Sequence, residues 1–359
     1  MSEKTTIFRI INVLFLSSIY IGSVTVSSLY DKYIFVEEIE NKQNIKFFEH
    51  FMHPIFLTYN MFLGEALCIP FYLIILVIFK QNFPKITKRT FFLMLLPSFL
   101  DSSFSTILIY GFMMTAPSVI KSLTGIALLT NMLLGYFILK KRYSLNSWMG
   151  AVFIIIGAFN VGYAVIYVKG IGHTTPLGLS IIICYLIVSR FQFIVEEKLL
   201  SIDKVDPLLL VSVEGITGLI YTTIYLFIFL NIPCSPIEQD DYALCAYNHI
   251  EDLNIAFKQI SLSPILIKYF LLQIVAEAFF NTFGLIITKT LSSNNRTILG
   301  FSSTIIVWTY SVLVGWENLN IMQLFGYIII VTGVFMFNGI IDFYNEITPP
   351  SIPLIRNKS

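Results

Sequence analysis

Five ionisable side chains inside long apolar runs of this chain are candidates for chemistry: Glu65, Asp101, Lys121, Glu214 and Glu277. A charge at membrane depth costs about 2.5–3.5 kcal/mol on insertion scales, so such residues normally face a partner, a cavity or a water path. Four acids and one base sharing a cavity suit a cation, a zwitterion or a transported proton better than a polyanion. Carboxyls held close together in a low dielectric can exchange protons near neutral pH. Each residue also has a structural reading, as a carboxyl hydrogen-bonded within helix packing. Lys121, about one turn beyond Ala116-Pro117, is either a counter-ion and substrate contact or a lysine snorkelling to the membrane surface.

Other chemistries find no support. His50, His53, His173 and His249 lie at the ends of apolar runs or in loops, without metal-ligand spacing. There is no nucleophile elbow, P-loop or dinucleotide fingerprint, so neither an enzyme nor a cofactor or metal site is expected. A net charge of +1 supplies no basic stripe for nucleic acid.

The elements that must hold these residues are membrane helices. Of the 359 residues 56% are hydrophobic and only 13% charged, where a soluble domain carries about 25% charged; the mean hydropathy is +0.78. Runs of about 20 apolar residues cross a bilayer, and ten are read: 7–30, 54–79, 90–113, 117–139, 147–168, 177–195, 208–230, 264–288, 293–314 and 321–343. The first is expected to be a retained helix, because it is longer than a signal-peptide core and no small-residue cleavage site follows. Segments on the side of the two termini hold fifteen Lys and Arg, against six on the other. By the positive-inside rule both termini are then cytosolic.

Two opposite-side segments are longer. Residues 31–49 are acidic and could form a surface helix. Residues 231–263 carry Cys234 and Cys245, either free thiols or, in an oxidising lumen, a disulfide that would add about 2–3 kcal/mol of constraint. The run Glu196-Glu197-Lys198 reads as a solvated helix end or a gate contact. Asn295-Arg296-Thr297 falls in a cytosolic segment and is expected to be unglycosylated.

Asp101 and Glu277 are also related by a register. The same offset of 176 residues maps Phe104 onto Phe280, Thr106 onto Thr282, Gly150 onto Gly326, Gly157 onto Gly333 and Phe159 onto Phe335. Two halves of five helices each, 1–175 and 176–345, with a tail at 346–359, follow from it. An odd number per half makes the second enter from the opposite side, an inverted repeat typical of secondary transporters. The glycine pairs, seven residues apart, form smooth strips on one helix face. Those strips serve intramolecular packing, or a sliding or homodimer contact.

Several strings resemble a known family: His53-Pro54 with Met61-Phe62-Leu63-Gly64-Glu65; Leu100-Asp101; Ser147-Trp148-Met149-Gly150; Val195-Glu196-Glu197-Lys198; Val213-Glu214-Gly215; Ala278-Phe279-Phe280-Asn281 with Thr288-Lys289; and Val314-Gly315-Trp316-Glu317. In order and over nearly the whole chain, they resemble the drug/metabolite transporter (EamA-like) superfamily. Within it they are similar to the nucleotide-sugar-transporter-like solute carriers of family 35, F branch, member-six-like. The resemblance implies a ten-helix endomembrane solute carrier, lysosome-, vacuole- or Golgi-like, with a small-molecule solute and the lipid bilayer as its partners.

The chain departs from the family pattern where charge matters. Leu123-Thr124-Gly125 stands where the pattern has leucine-arginine-glycine, and Ser302-Ser303-Thr304 where it has an arginine; Glu277 is an addition. These departures shift the expected cavity toward negative and away from an anionic nucleotide sugar. The expectation is an all-α secondary carrier working by alternating access. Its rivals are a nucleotide-sugar or nucleotide antiporter and a non-transporting membrane scaffold of the same fold.

Overall fold

A computed structural model describes residues 3–37, 51, 53–80, 82–84, 86–113, 117–169, 175–233, 251–316 and 318–339. Cys234, Cys245, most of the acidic 31–49 segment and the tail 346–359 lie outside these residues. The described chain is all helical: α1 (Glu3–Val36), α2 (Pro54–Ala66), α3 (Cys68–Ile78), α4 (Lys88–Met113), α5 (Pro117–Ile138), α6 (Leu145–Lys169), α7 (Pro176–Ser201), α8 (Pro207–Phe229), α9 (Leu253–Leu262), α10 (Pro264–Thr290), α11 (Ser293–Leu313) and α12 (Ile321–Phe337).

Proline opens α2, α5, α7, α8 and α10, where its missing N–H costs nothing and its fixed φ already suits a helix. Side-chain caps accept the orphan amides that follow. The Asp206 carboxylate takes the Leu208 amide at 2.9 Å, and Asn320 takes that of Met322 at 2.8 Å. Seven helical segments among the described residues are long and apolar enough to cross a membrane, α2 and α3 together forming one of them, and two further apolar helices are shorter. Large apolar side chains such as Phe71, Val77, Phe137, Phe159 and Leu313 are exposed, as lipid-facing residues should be. The molecule is thus a polytopic membrane protein.

Two sequence expectations need revising. The run 54–79 is not one helix but two, broken at Leu67. Pro70 has no N–H for the Ala66 carbonyl, so the hydrogen-bond ladder lapses there. Residue 31 does not begin a separate surface segment: α1 continues to Val36 and keeps Asp31 on the helix, where its side chain finds a partner described below.

The helices fall into two compact units, Met1–Met113 with Val195–Val307, and Met114–Ile194 with Trp308–Ser359. Each is built from two segments far apart in the sequence. In the first, α1 packs along α10, α2 on α8 and α10, and α4 on α8, while the short α9 rests on α10. One apolar core there joins Cys68, Tyr72 and Met94 to Leu199, Leu210 and Leu285.

In the second unit α6 packs on α12 and α5. A Cβ added at Gly150 would lie 2.7 Å from the Gly333 carbonyl oxygen, and one at Gly157 would lie 2.7 Å from that of Gly326. Only glycine lets the two backbones approach so closely. The pairing is reciprocal under the 176-residue register, each glycine meeting the counterpart of the other. Trp308 Nε1 donates to Gln323 at 3.0 Å and packs on Tyr327.

Candidate functional site

α10 supplies the backbone of the site. Gln273, Glu277 and Asn281 recur every four residues, one face of a helix, and all three are buried. α1 runs along that face with Tyr20, Ser23, Ser27 and Asp31 at matching intervals. Polar side chains at this spacing would be costly against lipid but pair with one another across a helix seam.

Three sets of contacts lie along the face. At one end Gln273 donates to the Asp31 carboxylate and accepts from Asn60 Nδ2 at 2.6 Å. In the middle the Ser27 hydroxyl donates to Glu277 Oε1 at 2.5 Å. At the other end Asn281 Nδ2 donates to Glu65 Oε1 at 2.6 Å, while its carbonyl accepts from Arg296 Nη2 at 3.4 Å. Arg296 Nη1 in turn reaches Glu196 Oε2 at 2.6 Å, with both side chains buried. The guanidinium also lies over the Phe280 ring, 5.8 Å from its centroid. Gly284 makes room for it, since a Cβ there would lie 2.6 Å from Arg296 Nε.

Glu214 enters from α8 beside Gly215, whose missing side chain lets α8 close onto the Glu65–Ala66 backbone at the end of α2. The Glu214 carbonyl accepts from Ser98 of α4 at 3.0 Å, and Thr217 donates to Ser98 at 2.6 Å. Asp101, also on α4 and only partly buried, accepts from Ser105 at 2.6 Å. Pro97 one turn earlier leaves the Leu93 carbonyl without a helical donor, loosening α4 just before this polar stretch.

The first unit therefore gathers Glu65, Asp101, Glu214 and Glu277. The charges of Asp101 and Glu277 act on Glu65, and those of Glu65, Asp101 and Glu196 on Glu214. One carboxylate oxygen each of Glu65, Glu214 and Glu277 is buried and meets no hydrogen-bond donor among the described residues. Buried polar atoms rarely go unmatched, so these three oxygens are where a proton or a solute group would bond. Lys121 is on α5, in the second unit; its side chain is outside the described ones.

Four participants escaped sequence reasoning. Arg296 sits at a helix start and counts as a loop charge, yet it is 3% exposed. The run Glu196-Glu197 is not a solvated helix end: both side chains are buried, and Glu197 accepts the Ser293 amide and hydroxyl at 3.2 and 2.6 Å. A carboxylate at the first turn of α11 satisfies orphan amides and complements the helix dipole. Asp31 is the fourth. The available signal was the four-residue spacing of Gln273, Glu277 and Asn281, which marks a buried polar stripe.

A separate cluster ties the start of α2 to the segment before α9. His53 Nδ1 pairs with Glu251, its Nε2 lies 3.1 Å from Gln259, and Glu251 also accepts the Ile55 amide at 3.2 Å. Phe51, Phe56 and Phe270 pack edge to face around it.

A buried ionisable cluster inside a polytopic helical protein is the build of a membrane solute carrier. The comparisons agree. The chain is 29% identical over 304 residues to Solute carrier family 35 member F6 of Rattus norvegicus and of Homo sapiens, covering 81% of this chain and 80% of each relative. A Schizosaccharomyces pombe protein is 27% identical over 79% of this chain and 86% of its own. The motif resemblance to the F branch of solute carrier family 35 is thus matched by homologues along the chain. No protein-family model matches it. A crystal structure with 10% sequence identity aligns over 91% of this chain and 99% of its own at TM-score 0.56, a likeness of fold alone.

Proposed function

We propose that the chain is a secondary active carrier of a small solute, cationic or proton-coupled, that works by alternating access. The carrying observation is that Glu65, Asp101, Glu214 and Glu277 are gathered in the unit that holds the buried Arg296, with three buried carboxylate oxygens lacking a donor among the described residues. Several ionised acids around one guanidinium cannot share a dry interior. Protons or a bound cation must make up the balance, and a carrier that exchanges them gains a coupling reaction. The names of the relatives support the transport class.

We further propose the drug/metabolite transporter arrangement of ten spans, with inverted halves 1–175 and 176–345, a cytosolic tail 346–359 and an endomembrane location. Support comes from the register: α4, α5 and α6 start at Lys88, Pro117 and Leu145, and α10, α11 and α12 start 176 residues later at Pro264, Ser293 and Ile321. The reciprocal glycine pairs of α6 and α12 have the form of a local two-fold contact.

The test is an uptake screen in proteoliposomes at two lumenal pH values, with organic cations, zwitterionic metabolites and nucleotide sugars as cargo. Uptake of a cationic or zwitterionic solute that responds to the pH gradient and is abolished in Glu65→Gln supports the proposal. Nucleotide-sugar exchange indifferent to the gradient would overturn the charge argument. A cellular phenotype unchanged when all four acids are neutralised would favour a scaffold.

A further inference from the structure

We infer that Asp31 of α1 and Glu277 of α10 form a dyad that holds one exchangeable proton, separate from the Glu65–Asn281–Arg296–Glu196 chain. This rests on the carrier reading and names the part of the site that handles the coupling ion.

The geometry is a four-cornered crossing of two helices. Ser27 and Asp31 are one turn apart on α1, Gln273 and Glu277 one turn apart on α10, and the contacts join Ser27 to Glu277 and Gln273 to Asp31. The two acids thus occupy one diagonal of the crossing and two neutral donors the other. Each acid has one oxygen bonded by a donor that carries no charge. The second Glu277 oxygen is buried without a donor, on a side chain 5% exposed.

Contrast the far end of the same α10 face, where Glu65 is linked through Asn281 to a guanidinium. That chain has its own positive charge; the crossing has none among its bonded side chains. The charge of Asp31 acts on Glu277, and that of Asp101 from α4 adds to it. The charge of Glu277 acts in turn on Glu65 of α2, and that of Glu65 on Glu214 of α8. On the Asp31 side Tyr33 and Tyr30 pack on Tyr269, their ring centroids 5.2 and 6.0 Å from it. Lys32 follows Asp31 along α1, Lys268 lies near the start of α10, and on α9 Lys258 lies past Glu251, which His53 binds.

Two carboxylates whose hydrogen-bond donors, Ser27 and Gln273, are both neutral repel each other unless one carries a proton. A proton held between the two carboxyls removes that repulsion. Asp31 is partly exposed and Glu277 buried, so the dyad assigns proton exchange with water to Asp31. On loading, one proton passes from water to a carboxylate oxygen of the dyad. On unloading it returns to water and leaves two carboxylates facing across the seam. Since α1 packs along α10, that charge bears directly on how firmly α1 is held.

The test is independent of cargo. Full-length protein in lipid nanodiscs is titrated while the infrared band of protonated carboxyls is followed and counted per chain. Wild type is expected to show a one-proton component that is lost equally in Asp31→Asn, Glu277→Gln and the double variant, and kept in Glu65→Gln and Asp31→Glu. Two separable components lost one by one, or a wild-type titration in the double variant, would overturn the dyad. Monodisperse elution and unchanged helical content establish that each variant is folded. If the acid variants do not fold, Ser27→Ala and Gln273→Ala keep both carboxyls and are expected to move the midpoint of that component; an unmoved midpoint overturns the inference. Failed transport with the proton count intact refutes the carrier reading alone, and intact transport without the component refutes the dyad alone.

Discussion

The two compact units differ most in where they hold acid. Every glutamate buried among the described residues (Glu65, Glu196, Glu197, Glu214, Glu251 and Glu277) belongs to the first unit. The stretch 114–194 of the second contains no Asp or Glu at all, and the remaining acids of that unit, Glu317, Asp342 and Glu346, lie outside the described residues. The second unit is instead closed by glycine strips, a Trp–Gln hydrogen bond and aromatic packing. Helices of similar apolarity can therefore be assembled in two ways within one chain. One way relies on backbone proximity and is insensitive to pH; the other relies on charged and amide side chains and responds to whatever supplies their missing partners.

The strongest way to break this contrast is at Arg296. Arg296→Ala leaves Glu196 buried and unpaired, and a loss of about 3–5 kcal/mol is expected, read as a large fall in the thermal midpoint of the purified protein. Replacing both partners, as in Glu196→Leu with Arg296→Met, should recover much of it. A double variant as unstable as the single one would mean that the pair matters through more than its charge.

In the second unit, Gly157→Val drives a side chain into the Gly326 carbonyl and the Ile330 side chain. Overpacking of this kind costs about 1–3 kcal/mol. Stability should fall while the carboxyl titration in nanodiscs keeps its wild-type form. A changed titration would show that the two styles of packing are not independent.

Asn281→Leu removes the donor to Glu65 and the acceptor for Arg296, at a cost of about 1–3 kcal/mol. Unlike the glycine variant, it should also alter cargo selectivity in vesicles. The smallest effect is expected for Asp206→Ala, which strips the cap from α8 for about 1 kcal/mol and should leave both titration and selectivity alone.

Much of this contrast was open to inspection of the sequence, for a reason that also explains the gaps. An acid inside an apolar run is conspicuous, so Glu65, Asp101, Glu214 and Glu277 stand out. Helix starts such as Pro117, Pro264 and Ile321 follow from proline and the change in hydropathy. Arg296, Glu196 and Asp31 lie at the ends of such runs, where a charge looks like ordinary loop chemistry. Only the partner reveals their burial, and partners 100 or more residues away leave no local mark. The break at Leu67 was hidden differently: α2 and α3 are apolar throughout, and Pro70 alone marks the lapse.

The distance along the chain between partners has a consequence for biogenesis. Asp31 and Gln273 are 242 residues apart, Glu65 and Asn281 216, and His53 and Glu251 198. At roughly 5–20 residues per second, helices α1 and α2 wait about 10–50 s in the translocating membrane before the ribosome delivers α10. During that interval their acids lack the amides that later bind them. The nascent chain is then most exposed to misassembly and to quality control between the synthesis of α4 and that of α10. Pausing, truncation or slowed translation downstream of Met113 should therefore damage yield more than the same disturbance after Val307.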